Sequence, residues 1–132
     1  SDVRRAIWEK SVSLVGLSGS TTSMRVPIGP VRSHPRSRAF LLQLMSETVA
    51  TGRAHGVGLP ADFAENRLAS ADTLRAEMTS SINHDLQPGN RLEVDWLSGG
   101  VVELGQDKGI ATPANSAVWA ILAPHAAGEG AP

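Results

Sequence analysis

Apolar residues recur at three- and four-residue steps along most of the chain, and the steps break where proline and glycine cluster. Val3, Ile7, Leu14, Leu17 and Thr21 form the apolar stripe of an amphipathic helix from about Asp2 to about Thr21. Phe40, Leu41, Leu44, Met45, Thr48 and Val49 form that of a second, from about Arg36 to His55. A third runs from about Ala61 to Leu74 with Phe63, Leu68 and Leu74, a fourth from about Leu92 to Lys108, and a fifth from about Pro113 to Ala126. Gly16 and Gly19 cost helix propensity and let another backbone approach the first helix closely.

Two corners share one grammar. Gly56-Val57-Gly58-Leu59-Pro60 and Gly109-Ile110-Ala111-Thr112-Pro113 each set a glycine after a helix, an aliphatic residue to plug the core, and a proline to open the next helix. Thr112 also offers an N-cap hydroxyl. The pattern predicts an all-α helical bundle over residues 1–127 and a disordered tail over 128–132. Between Arg25 and Arg38, Pro27, Pro30 and Pro35 exclude one continuous helix. Five arginines from Arg25 to Arg53 raise the idea of a phosphate patch, but a solvated surface loop is the reading preferred.

Composition narrows the classes. A chain of 132 residues is one domain with room for a core. It has no cysteine, hence no disulfide or thiolate chemistry. A net charge of −1 gives no general electrostatic case for nucleic acid or a membrane surface. No apolar run approaches the roughly twenty residues of a membrane span, and no signal peptide is visible. The expectation is a cytoplasmic domain that begins inside a helix, as a piece of a longer protein would. His34, His55, His84 and His125 share no ligand spacing, so no metal site is expected. Gly16-Leu17-Ser18-Gly19 lacks the spacing of a dinucleotide fingerprint and follows no strand.

One polar stretch stands out between apolar helices. Thr79-Ser80-Ser81-Ile82-Asn83-His84-Asp85 is followed by Arg91-Leu92-Glu93-Val94-Asp95-Trp96. Polar groups held against a core need partners, from the protein or from a ligand. Taken alone, Ser80 and Ser81 read as N-caps and Glu93 as a charge suited to a helix N-terminus. Taken together, Ser80-Ser81-Ile82 with Asp85, then Leu92-Glu93 with Asp95-Trp96 and Gly99, then Gly109-Ile110 with Thr112-Pro113 and Asn115, resembles the C-terminal half of ketopantoate reductases. Ile82 stands where that family usually has methionine, and the twelve-residue step from Ser81 to Glu93 is the family's own.

The resemblance implies an all-α fold like the C-terminal domain of ketopantoate reductases and 6-phosphogluconate dehydrogenase-like proteins. It implies NADPH-dependent reduction of 2-dehydropantoate to (R)-pantoate, on the route to pantothenate and coenzyme A. NADPH would be bound mainly by an N-terminal Rossmann domain absent from this chain, and the protein would be a homodimer acting on a small 2-keto acid. Lys10, in Ile7-Trp8-Glu9-Lys10, matches the catalytic lysine that protonates the keto oxygen. Ser81 would bind the substrate's carboxylate end, and Glu93 would position substrate or pair with Lys10. Lys10, Leu14 and Ser18 stand at i, i+4 and i+8, where the family has asparagines at the last two positions. Ser18 keeps one hydroxyl for the substrate and Leu14 keeps none, which opens the alternative of a different 2-keto acid. A free-standing helical interaction domain without chemistry is the other alternative. Asp85 and Asn115 read as architectural.

Overall fold

Helix α1 (Asp2–Met24) and helix α3 (Pro35–Ala54) form the spine of the chain. In the computed structural model, which describes residues 2–79 and 95–125, they run antiparallel, with Trp8 against Gly52, Gly16 against Met45 and Gly19 against Leu44. A Cβ at position 16 would stand 2.6 Å from Met45 Cγ, so glycine there admits the α3 side chains rather than a neighbouring backbone. Around the spine lie α2 (Ile28–Ser33), α4 (Phe63–Ala71), α5 (Ser98–Asp107) and α6 (Pro113–Leu122), which ends in a 3-10 turn over Ala123–His125. No strand occurs among the described residues, and no described helix is long and apolar enough to cross a membrane.

The core has two parts. Val12, Ile28, Val31, Leu41, Met45, Val49, Val57 and Leu59 fill the space between α1, α2, α3 and α4. Val15, Leu44, Val101, Ala114, Val118 and Leu122 fill the space between α1, α3, α5 and α6. Each helix of the spine therefore serves both cores from adjacent positions.

Several expectations need correction. The buried side of α1 carries Val12, Val15, Gly16 and Gly19, whereas Val3 and Ile7 are 70% and 60% exposed. The apolar stripe read from the sequence runs partly off the core, because small residues mark the tightly packed face. The segment expected as a solvated loop contains α2. Pro30 falls in its first turn, where the missing N–H has no intrahelical acceptor to lose. Helix α4 stops at Ala71, and α5 is described from Ser98 onward, after a turn at Asp95–Leu97. Thr112 makes no side-chain cap bond.

The two glycine corners are as the sequence indicates. Gly56 (φ 85°) and Gly109 (φ 68°) occupy the left-handed region. In the first, Val57 N donates to Gly52 O and Gly56 N to Arg53 O. In the second, Ile110 N donates to Gly105 O and Gly109 N to Gln106 O. Both are Schellman closures, which satisfy carbonyls at the helix end. Pro60 stands three residues before α4 rather than at its first position, and Phe63 N donates to its carbonyl. The tail expected to be disordered lies outside the described residues.

Candidate active site

Lys10 is exposed on α1 beside a groove of about 300 Å³. Leu14, one turn further on, lies in the groove wall with Leu17, Leu41, Met45, Leu74 and Met78. Ser18 does not line it. It is 1% exposed, and its Oγ has no hydrogen-bond partner among the described residues. At 3.6 residues per turn, eight residues carry a side chain about 80° around the axis from its starting direction. Lys10 and Ser18 thus leave α1 in different directions, and only Lys10 and Leu14 share the groove.

The far wall is built by the chain beyond α4. Ile28 N donates to Met78 O and Gly29 N to Ala76 O, so the first amides of α2 are satisfied by residues 76–78. A Cβ on Gly29 would stand 2.8 Å from Ala76 Cβ, so this contact requires glycine. Arg32 Nη1 donates to Ala71 O and Leu74 O, both at 2.7 Å. Arg38 forks onto both carboxylate oxygens of Asp72 at 2.8 Å, which holds the Asp72 carboxyl below its usual range. Arg53 Nη1 donates to Leu59 O. Arg32, Arg38 and Arg53 therefore hold backbone turns and α4 in place, rather than forming a solvated loop or a phosphate patch.

These ties fix the point at which the chain enters the polar stretch. The stretch itself, with Ser80, Ser81, His84, Asp85 and Glu93, lies outside the described residues. Its exit is tied as well: Trp119 Nε1 donates to Asp95 Oδ1 at 2.8 Å, linking the chain before α5 to α6.

Sequence reasoning missed two charged residues. Arg67, on α4, lines the groove and also a neighbouring depression that it shares with Glu9, Lys10, Ser13 and Phe63. Its guanidinium lies 5.2 Å from the centroid of the Phe63 ring, and Asn66 Oδ1 accepts from its Nε and Nη2. No carboxylate pairs with Lys10 or Arg67 among the described residues, and Glu9, nearest in sequence, is engaged by Arg5 at 3.3 Å. The signal was present: Phe63 and Arg67 stand at i and i+4, so the cation lies over the ring on the same helix face.

Glu47 is the second. It is 7% exposed, and its carboxylate accepts from Ala114 N, Asn115 N, Asn115 Nδ2 and Gln43 Nε2. This is the N-terminal cap of α6, supplied from α3 instead of by Thr112. Asn115 is fully buried and architectural, as expected. Two histidines also have structural partners: His34 Nδ1 accepts from Arg36 N, and His55 Nε2 donates to Leu104 O.

Residues 2–126 match the family described as ketopantoate reductase PanE/ApbA C terminal. A 2-dehydropantoate 2-reductase of Halobacterium salinarum is 35% identical over 111 residues, covering 83% of this chain and 36% of the relative. One of Caulobacter vibrioides is 37% identical over 115 residues, covering 87% and 39%. Among solved structures, a PanE/ApbA family ketopantoate reductase from Ralstonia eutropha JMP134 superposes with a TM-score of 0.84 at 32% identity, over 95% of this chain and 42% of the other. A dimeric ketopantoate reductase from Staphylococcus aureus reaches a TM-score of 0.86 at 20% identity, over 93% and 43%, which is a likeness of fold. The chain spans about two-fifths of the length of the relatives it matches.

Proposed function

Because this chain belongs to the family of ketopantoate reductase C-terminal domains, we propose that it is the substrate-binding half of a reductase that converts a 2-keto acid to the 2-hydroxy acid. The observation that carries the reading is Lys10, a cation with no acidic partner among the described residues, standing beside a half-open, mainly apolar groove. Reduction places negative charge on the keto oxygen. An ammonium at that oxygen stabilises charge present mainly in the transition state and delivers the proton that completes the hydroxyl. Ser81 would hold the substrate's carboxylate end, and Glu93 would orient the substrate or Lys10. Both roles rest on the family motif around these residues. Ser18, proposed as a further substrate ligand, would need to turn toward the groove, and its unpartnered Oγ leaves it a hydrogen bond to give.

The described residues do not fit a dinucleotide. They contain no strand, and Gly16 and Gly19 are packed inside the spine against Met45 and Leu44. The hydride donor, NADPH, is assigned to an N-terminal domain outside this chain, so the chain by itself would be inactive. A homodimer is proposed with it, and exposed Val3, Ile7 and Trp96 supply apolar surface for such contacts. The reference substrate is 2-dehydropantoate, the compound in the relatives' names, with (R)-pantoate as product for pantothenate and coenzyme A synthesis.

The test is NADPH consumption by the protein that joins this chain to its nucleotide domain, with a series of 2-keto acids headed by 2-dehydropantoate. Lys10→Ala is expected to lower kcat by about 10²–10⁴-fold, with NADPH affinity unchanged. A wild type inert toward every 2-keto acid, or a variant as fast as wild type, would refute the proposal.

A further inference from the structure

We infer that the acid this groove prefers carries an apolar side chain without a hydroxyl, and that Arg67 binds its carboxylate. The inference rests on the reductase reading for the reaction, and on the groove itself for the choice of substrate.

The groove wall selects the substrate's side chain. Ser13 and Ser70 bring hydroxyls to the lining, but Leu14, Leu17, Leu74 and Met78 offer no hydrogen bond to a substrate hydroxyl, and Leu14 stands one turn from Lys10, on the groove side of α1. A hydroxyl placed against Leu14, away from Ser13 and Ser70, would give up its water without replacement. A volume of about 300 Å³ suits a short branched or aromatic side chain. Arg67 takes the carboxylate. Asn66 and the Phe63 face hold its guanidinium, and its Nη1 has no partner among the described residues. It shares a depression with Lys10, Ser13, Phe63 and Glu9 that adjoins the groove, and the Glu9 carboxylate there is paired with Arg5. With Glu9 taken up by Arg5, two cations beside a mainly hydrocarbon groove suit a short carboxylate whose 2-oxo group faces Lys10 and whose acid group faces Arg67. A guanidinium is well shaped for that second contact.

A matched pair tests it: 3,3-dimethyl-2-oxobutanoate and 2-dehydropantoate, which differ only by the terminal hydroxyl. With the full-length protein and NADPH, kcat/KM is expected to favour the hydroxyl-free acid by about tenfold to a hundredfold. Leu14→Asn should shrink or reverse that ratio. Arg67→Ala should raise KM for both acids on the order of tenfold or more with kcat nearly unchanged, and Arg67→Lys should recover part of the loss. A purely structural Arg67 would instead lower Tm without that KM-specific loss. Calorimetric binding of the two acids to the NADP⁺-loaded protein separates the inference from the reading beneath it. Tighter binding of the hydroxyl-free acid, weakened by Arg67→Ala, supports the inference even if neither acid is reduced. Preference for 2-dehydropantoate, an unmoved ratio in Leu14→Asn, or an unmoved KM in Arg67→Ala overturns it, even if the reductase reaction is confirmed.

Discussion

Glu47 shows how much one buried carboxylate can organise. The first amides of a helix lack intrahelical acceptors, and at α6 two of them, Ala114 N and Asn115 N, are met by Glu47 from α3 at 2.8 and 2.9 Å. The negative charge also lies at the positive end of the α6 dipole. Glu47→Ala would strand these buried donors together with Asn115 Nδ2, and is expected to cost about 2–4 kcal/mol. Glu47→Gln keeps the shape and one acceptor oxygen, and should cost about half as much. Urea denaturation of the three proteins checks this, and equal midpoints for wild type and Glu47→Ala would remove Glu47 from the account. Nothing in the sequence near Glu47 announces the role. The partner lies 67 residues away, and the local signal at Thr112 pointed to a cap that its side chain does not form.

At the level of elements, the contacts that frame the groove are charge and backbone ties made by the residues read as a loop. Arg38 and Asp72 link α3 to the end of α4 through two parallel hydrogen bonds. The Arg38 hydrogen bond, then its charge, holds the folded Asp72 carboxyl below its usual range. The sign follows: such a group contributes stability above its unfolded pKa, and the contribution is lost as pH falls through the folded value. Wild type should therefore exceed Arg38→Gln in Tm near neutral pH by a small margin, since both groups are solvent-exposed and screened. The two melting curves should converge once Asp72 is protonated. A margin independent of pH would assign the effect to packing. Helices α1, α3 and α6 were legible because their apolar steps are long and their ends carry glycine, proline or both. Helix α2 was not, because three prolines in nine residues read as a break, although Pro30 falls where a helix tolerates it. On α1 the apolar stripe was legible, but which side faces the core was decided by Gly16 and Gly19, whose packing role depends on α3 side chains. Lys10 and Leu14 were legible as neighbours on one helix. Arg67 joined them only through folding, since α4 must cross to α1 before the two cations share a rim.

Across the whole molecule, α1 and α3 supply both cores from neighbouring positions: Val12 and Met45 on one side, Val15 and Leu44 on the other. Neither core can lose its packing without loosening the spine that the other needs, so the two should unfold together. The tryptophans report on this separately, because Trp8 packs against the first core and Trp119 against the second. Single-tryptophan chains, with the remaining tryptophans changed to Phe, should give coincident urea transitions by fluorescence. Leu44→Ala, at a fully buried position of the second core, is expected to cost about 2–5 kcal/mol. It should lower the midpoint seen by Trp8 as much as that seen by Trp119. An earlier transition at Trp119 alone would mean that α5 and α6 open as a separate unit while the groove beside Lys10 persists. Coincident transitions would mean that the groove walls stand or fall with the spine, so a core substitution far from Lys10 reaches the site only by unfolding the domain.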